Sequence, residues 1–350
     1  MFTRTRQGRR TAVGIAAAVA AIIVLAGCSS SAPTSAGGSA PTGKAVKIFM
    51  APKFTGLAYF EVARKGGEAA AKDEGFTFSY IGSDQPTATD QISTLTNAIP
   101  QKPSALVVSA IDGNAVAPAL KQARAAGIKV VTYDADSAID ARDLFVNQLD
   151  YTLAAKTMLD AALLDSPDGG LVAFISASPT AVNHTAHVKI MKHLIDTDAK
   201  YSKFKYVDTV QFAGDDAQKS QDIALNLIQA NPTLKVIISS SAVSAPAAEQ
   251  AIVNAGLQAK VSATGFALPS SVKDFIKNGD AKAFALWDPT ELGYVATAAA
   301  YQLATGKITA KEGQVVDAGK HGKYTVGKDG EVDYNKPLIF TKDNIDKYTF

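Results

Sequence analysis

His184 and His187 stand three residues apart, a spacing that sets two imidazoles on one face of a helix, as in metal-binding helices. A metal site needs a third ligand and the sequence offers none that is evident, so the pair reads as solvated or ligand-contacting histidines. Nucleophile chemistry has no better footing, because the chain contains neither a Gly-x-Ser-x-Gly elbow nor a His-Glu-x-x-His helix. Gly38 to Lys44 has the Gly-x-x-x-x-Gly-Lys spacing of a phosphate loop. Ala45 follows where Ser or Thr should stand, and the segment precedes the first strand instead of following one. Hydrogen-bonding side chains are a further candidate set. A carboxylate such as Asp134 can accept two hydroxyl bonds of the strong, charge-assisted kind. Lys53 can donate while balancing that charge in a dry cleft, and Asn183 offers a donor and an acceptor to match a hydroxyl. Tyr59, Phe60 and Trp287, the sole tryptophan, can pack against apolar surfaces. Each residue also has a plainer role. Lys53 could be a solvated loop lysine, Asp134 or Asp136 a turn cap, and one of the adjacent Tyr59 and Phe60 core. Asp288 precedes Pro289 and Thr290 as a helix N-cap does, so cap and ligand contact are both open. Paired cleft carboxylates could also work as acid and base on a glycosidic bond.

Such residues act together only if the fold gathers their loops. From Lys44 onward, short apolar runs alternate with longer amphipathic stretches. Residues 45–50, 76–81, 105–109 and 128–133 read as strands, and 59–73, 88–98 and 116–126 as helices, with Gly75 and Gly127 as terminators. The unit repeats, with strands at 171–176, 206–211, 236–239 and 261–265 and helices at 186–195, 217–229 and 245–255. This alternation predicts an α/β fold of two doubly wound parallel-sheet lobes joined by a hinge. Residues 44–148 and 289–315 are assigned to the N-terminal lobe, and 149–288 and 316–350 to the C-terminal lobe and hinge closure. A first crossing is expected at 144–148, and the helix at 291–304 should return to the first lobe. In open α/β sheets, ligands lie beyond the carboxyl ends of the strands. Lys53, Ser109, Asp134, Ser178 to His184, Ser240 to Ala242, Phe266 and Asp288 should therefore line one cleft.

The amino-terminal segment speaks to compartment. Arg4, Arg6, Arg9 and Arg10 precede an Ala-, Ile- and Val-rich run at 11–25 that is short for a bilayer span, so residues 1–27 read as a signal peptide. The run ends in Leu25-Ala26-Gly27-Cys28, the pattern of a lipobox, which makes Cys28 the expected lipidated amino terminus. Residues 28–43 are Ser, Ala, Pro, Thr and Gly and read as a flexible tether. Cys28 is the only cysteine, so no internal disulfide can form and the fold stands on its core. The chain has 35 basic and 33 acidic residues, and four of the basic ones belong to the leader. The exported part is thus slightly acidic and gives no sign of a nucleic-acid partner. The leader and the lack of an amino-terminal DNA-binding helix pair argue against a transcription regulator.

Ala51-Pro52-Lys53, Tyr59-Phe60, Val131-Thr132-Tyr133-Asp134-Ala135-Asp136 and Phe145-Val146-Asn147-Gln148 follow one another along the first half. Ser178-Pro179-Thr180, Leu286-Trp287-Asp288 and Lys342-Asp343-Asn344-Ile345-Asp346-Lys347-Tyr348 complete the series. In this order they resemble the type I periplasmic binding proteins of sugar ABC importers, nearest to the rhamnose-binding and autoinducer-2-binding branch. The resemblance implies ligand contacts at Lys53, Tyr59, Phe60, Asp134, Asn183, His184, Ser240, Ala242, Trp287 and Asp288. Lys53 and Asp134 match the family's contacting Lys and Asp directly. Asn183 and His184 fall where autoinducer-2 binders place Asp and Gln, and Ser240 and Ala242 where they use Pro and Ala. These departures favour a sugar, a rhamnose-like deoxyhexose or a pentose, with autoinducer-2 as the alternative and a glycoside-acting enzyme a remote one. The resemblance further implies a monomer that is not an enzyme and uses no cofactor or metal. It would be lipid-anchored through Cys28 on the outer face of the cell membrane, with an ABC permease and its ATPase as partners.

Overall fold

The structure is a computed structural model that describes residues 45–350; the leader, Cys28 and the tether lie outside the described residues. The first lobe runs through β1 (Lys47–Ala51), α1 (Ala58–Glu74), β2 (Thr77–Tyr80), α2 (Ala88–Ala98), β3 (Ala105–Val108), α3 (Gly113–Ala125), β4 (Lys129–Tyr133) and β5 (Leu144–Asn147). The central strands are runs such as Ala-Leu-Val-Val in β3, buried at every position because helices cover both sheet faces. Side chains set the helix starts. Thr87 accepts from the Asp90 N–H ahead of α2, and Asp112 from Asn114 and Ala115 ahead of α3. The five strands are parallel in the order β2-β1-β3-β4-β5. The order reverses between β1 and β3, so the loops after these two strands part and leave a crevice at their carboxyl ends.

The second lobe comprises α4 (Tyr151–Asp165), β6 (Gly170–Ser176), α5 (Val182–Thr197), β7 (Phe204–Tyr206), β8 (Gln211–Phe212), α6 (Ala217–Ala230), β9 (Leu234–Ser239), α7 (Ser244–Asn254), β10 (Ser262–Gly265), α8 (Pro269–Asn278) and β11 (Phe284–Leu286). Its parallel sheet repeats the winding as β7-β6-β9-β10, with β8 also on β6 and a bridge from Phe266 to Ala285 beside β11. Here the reversal lies between β6 and β9. Where the sequence predicts one strand at 206–211, the chain bends at Asp208–Thr209 and meets β6 twice, as β7 and then β8.

The remaining chain serves both lobes. Helix α9 (Pro289–Ala304) returns to pack along α1 and across β3 and β4. β12 (Val315–Asp317) and β13 (Lys323–Thr325) form an antiparallel ribbon, β14 (Glu331–Asp333) pairs parallel with β5, and β15 (Leu338–Phe340) pairs antiparallel with β11. Residues 316–350, expected in the C-terminal lobe and hinge closure, thus add one strand beside each lobe. β5 and β11 would each leave an open sheet edge, and one short strand from the closing segment covers each. Three crossings therefore join the lobes. Two of them are tied by Tyr334 N–H to the Asn147 carbonyl at 2.8 Å and Asn335 N–H to the Gln148 carbonyl at 3.1 Å. The largest core cluster includes one side of each sheet with α1, α4 and α9, and smaller clusters lie under α2 and α3 and under α6 and α7. The α1–α9 contact is made close by glycine: a Cβ on Gly66 would come 1.9 Å from the Thr290 carbonyl oxygen, and one on Gly293 2.0 Å from that of Ala63. Among the described residues no helix is long and apolar enough to cross a membrane.

Candidate ligand-binding site

Asp134 follows β4 with a φ of 60°, and the Ala135 N–H reaches back to the Tyr133 carbonyl at 2.6 Å, closing a γ-turn around it. Asp tolerates this left-handed backbone better than most residues. Its carboxylate is met by three donors. Lys53 Nζ lies 3.2 Å from Oδ2, Ser109 Oγ donates to Oδ2 at 2.8 Å, and Tyr59 OH donates to Oδ1 at 3.2 Å. Trp287 Nε1 in turn donates to Tyr59 OH at 3.0 Å. Gln91 pins the strand-end loops that bring these groups together. Its Nε2 donates to the carbonyls of Pro52 at 2.8 Å and Ser109 at 2.7 Å, and its Oε1 accepts from Ile111 N–H at 2.9 Å. Asp136 is taken up elsewhere: Arg142 grips it through Nε and Nη2 at 2.8–3.1 Å, and Thr132 also donates to it.

The second lobe faces this pair with the start of α5. Asn183 Nδ2 donates to the Asp134 carbonyl at 3.4 Å, a bond between the lobes, while its buried Oδ1 has no partner among the described residues. His184 Nδ1 accepts from Ala177 N–H at 3.4 Å, which leaves the proton on Nε2. Burial, and then the charge of Lys53, hold His184 down at about 3, and burial with His184 and Lys53 keeps His187 well below its ordinary value. Both rings are neutral near pH 7. Half-buried Asp215 accepts from Ser241 Oγ, and Ser240 Oγ points at Met158 Sδ at 3.8 Å. The apolar wall is aromatic, with Trp287 edge-to-face on Phe266 at 4.9 Å and on Tyr59 at 6.0 Å. The space between these walls, its open mouth included, is about 450 Å³.

Nine of the ten residues expected to contact a ligand line this one cavity: Lys53, Tyr59, Phe60, Asp134, Asn183, His184, Ser240, Ala242 and Trp287. Tyr59 and Phe60 both border it, although Phe60 also packs edge-on against Tyr133 in the core. Asp288 is the exception. Its Oδ1 accepts from the N–H groups of Thr290 at 2.8 Å and Glu291 at 3.4 Å, so the carboxylate turns back onto its own helix and the residue is no part of the wall. His187, Asp215, Ser241, Val243, Leu57, Leu286 and Phe266 line the cavity without having been among those ten. Phe266 and Ser241 carried a sequence signal as strand-end residues. Asp215 follows β8, the strand hidden in a longer predicted run. No group of three or more His, Cys, Asp and Glu able to hold a metal occurs among the described residues.

A profile of the periplasmic binding protein domain matches residues 48–308. The chain belongs to the periplasmic binding protein family. Its two parallel sheets are those of the type I fold, and as a member it is a solute-binding protein of the periplasmic or extracellular side and not an enzyme. Among solved structures, a sugar ABC transporter from Actinomyces odontolyticus is 38% identical, with 87% of this chain and 98% of that one covered and a TM-score of 0.73. An ABC transporter solute binding protein from Clostridium phytofermentas with bound L-rhamnose is 31% identical over 87% and 98% of the two chains, with a TM-score of 0.81. LsrB from Clostridium saccharobutylicum in complex with AI-2 is 26% identical over 87% and 100%, with a TM-score of 0.80.

Proposed function

We propose that the chain is the lipid-anchored substrate-binding protein of an ABC importer and that its interlobe cavity takes a small sugar, a rhamnose-like deoxyhexose or a pentose. The observation that carries this reading is the buried Lys53–Asp134 pair of one lobe facing Asn183 and neutral His184 of the other. Hydroxyls suit that set, because each can donate to Asp134 or Asn183 Oδ1 and accept from Lys53 or His184 Nε2. The C–H faces and the methyl of a deoxysugar suit the wall of Phe266 and Trp287. Groups on both lobes give a ligand the means to favour the closed arrangement, which a permease with its ATPase would recognise. The rhamnose-bound relative supports the sugar class.

Autoinducer-2 is the second reading, because the relative in complex with AI-2 shares the fold at 26% identity. Asn183, His184 and Ser240 depart from the pattern of those binders and favour the sugar. Isothermal titration of the purified exported part against L-rhamnose, other deoxyhexoses, pentoses and autoinducer-2 decides between them. Heat from a deoxyhexose or pentose is the expected result; saturation by autoinducer-2 alone would transfer the assignment. Anchoring rests on Cys28. Radiolabelled fatty acid should enter the parent chain in cells and not a Cys28→Ser variant, and equal labelling of both would remove the anchor from the proposal.

A further inference from the structure

Building on the sugar reading, we infer that His187 is a specificity-determining residue that meets a hydroxyl pair of the ligand together with Asn183. His187 lies one turn beyond Asn183 on α5, so the two share a helix face, and both line the cavity. Its ring is 1% exposed and walled by other rings, with His184 nearly parallel at 6.4 Å and Tyr151 and Phe266 edge-on at 5.4 and 5.7 Å. Neither of its nitrogens has a hydrogen-bond partner among the described residues, and neither does Asn183 Oδ1. A neutral imidazole carries one donor and one acceptor, and leaving both unmet in an aromatic slot is costly.

Phenylalanine would fill that slot without the cost. A histidine there makes physical sense when a partner arrives from the cavity side. A hydroxyl both gives and takes a proton, so it matches either tautomer. Two adjacent hydroxyls would satisfy Asn183 Oδ1 and His187 from one edge of a sugar ring. The one lysine of the cavity is already paired with Asp134, so it holds no unpaired lysine to balance an acid or a phosphate ester.

Full-length exported protein, its His187→Phe variant and its His187→Gln variant would be titrated with L-rhamnose and its monodeoxy analogues, and melted without ligand. His187→Phe should weaken L-rhamnose by ~10-fold or more while its ligand-free melting temperature stays level or rises. His187→Gln, which keeps a donor and an acceptor, should recover part of the affinity. One monodeoxy analogue should bind the parent weakly yet lose nothing further in His187→Phe. A dissociation constant within twofold of the parent's would overturn the inference. So would a lowered melting temperature with an equal affinity loss for every sugar, the pattern of a structural residue. A parent that binds none of the deoxyhexoses and pentoses defeats the functional reading itself, whereas one that binds a pentose instead of L-rhamnose carries the same variants over to that sugar and its monodeoxy analogues.

Discussion

Replacing Asp134 by Asn keeps the side chain's shape and its tolerance of a φ of 60°, and removes only the charge. The structure sets what that charge is worth. Lys53, 7% exposed and 3.2 Å away, loses its counter-ion, and the hydroxyls of Ser109 and Tyr59 lose an ionised acceptor. Removing one partner of a buried ion pair costs ~3–5 kcal/mol. The 3.2 Å separation exceeds the ~2.7–2.9 Å of the best charge-assisted bonds, so the lower end, about 3 kcal/mol of stability, is expected. Binding should suffer separately. A ligand hydroxyl that donates to an ionised carboxylate gains ~1.5–3 kcal/mol, so affinity should fall by ~10- to 100-fold.

Lys53→Met separates the two effects. In the double variant no buried cation is left unpaired, so most of the stability should return while affinity stays low. Urea unfolding of the parent, both single variants and the double variant without ligand, with titration calorimetry on each, completes the cycle. Two results would refute the reasoning: a double variant no more stable than Asp134→Asn, or an Asp134→Asn protein that binds like the parent.

Asp288→Ala should cost about 1 kcal/mol of stability through loss of the α9 cap and leave the dissociation constant untouched; a tenfold weaker affinity would return that carboxylate to the site. Gly293→Ala sets a methyl 2.0 Å from the Ala63 carbonyl oxygen, so α1 and α9 must move apart at a cost of ~1–3 kcal/mol. Those helices begin beside Tyr59 and Trp287, so the emission of Trp287, the only tryptophan, should shift as well, and an unchanged spectrum would uncouple the helix contact from the cavity. Glu249 is fully buried, accepts only from Ala263 N–H among the described residues, and is raised from 4.5 to about 8, chiefly by burial. The folded protein thus keeps a proton that the unfolded chain releases, and stability should fall as pH rises from about 4.5 to 8, by up to ~1.4 kcal/mol per unit. Urea midpoints at pH 5 and pH 8 should converge for Glu249→Gln relative to the parent; parallel behaviour would mean the carboxyl is ionised throughout.

What could be read from the sequence is what the chain decides locally. Strands buried on both faces spell continuous apolar runs, as β3 does, and the residue after each run marks a sheet's carboxyl edge; that is how Lys53, Asp134, Asn183 and Ser240 could be placed together. Helix α4 is not legible in the sequence, because an Ala- and Leu-rich helix buried over much of its surface carries almost no amphipathic period. The three-residue β14 and β15 carry no pattern at all, and only open edges supplied by distant strands make them strands.

Asp134 and Asp136 show where the boundary falls inside the site. By residue type and loop they are equivalent, and both could take a ligand or a turn. Asp136 is claimed by Arg142, six residues on, a pairing that spacing alone permits. Arg142 is itself held from the far end of the chain, where the Asp329 carbonyl ahead of β14 accepts from its Nη1. The closing segment that completes the first sheet therefore also fixes the arginine that removes Asp136 from contention, and leaves Asp134 as the one of the two that faces the cavity.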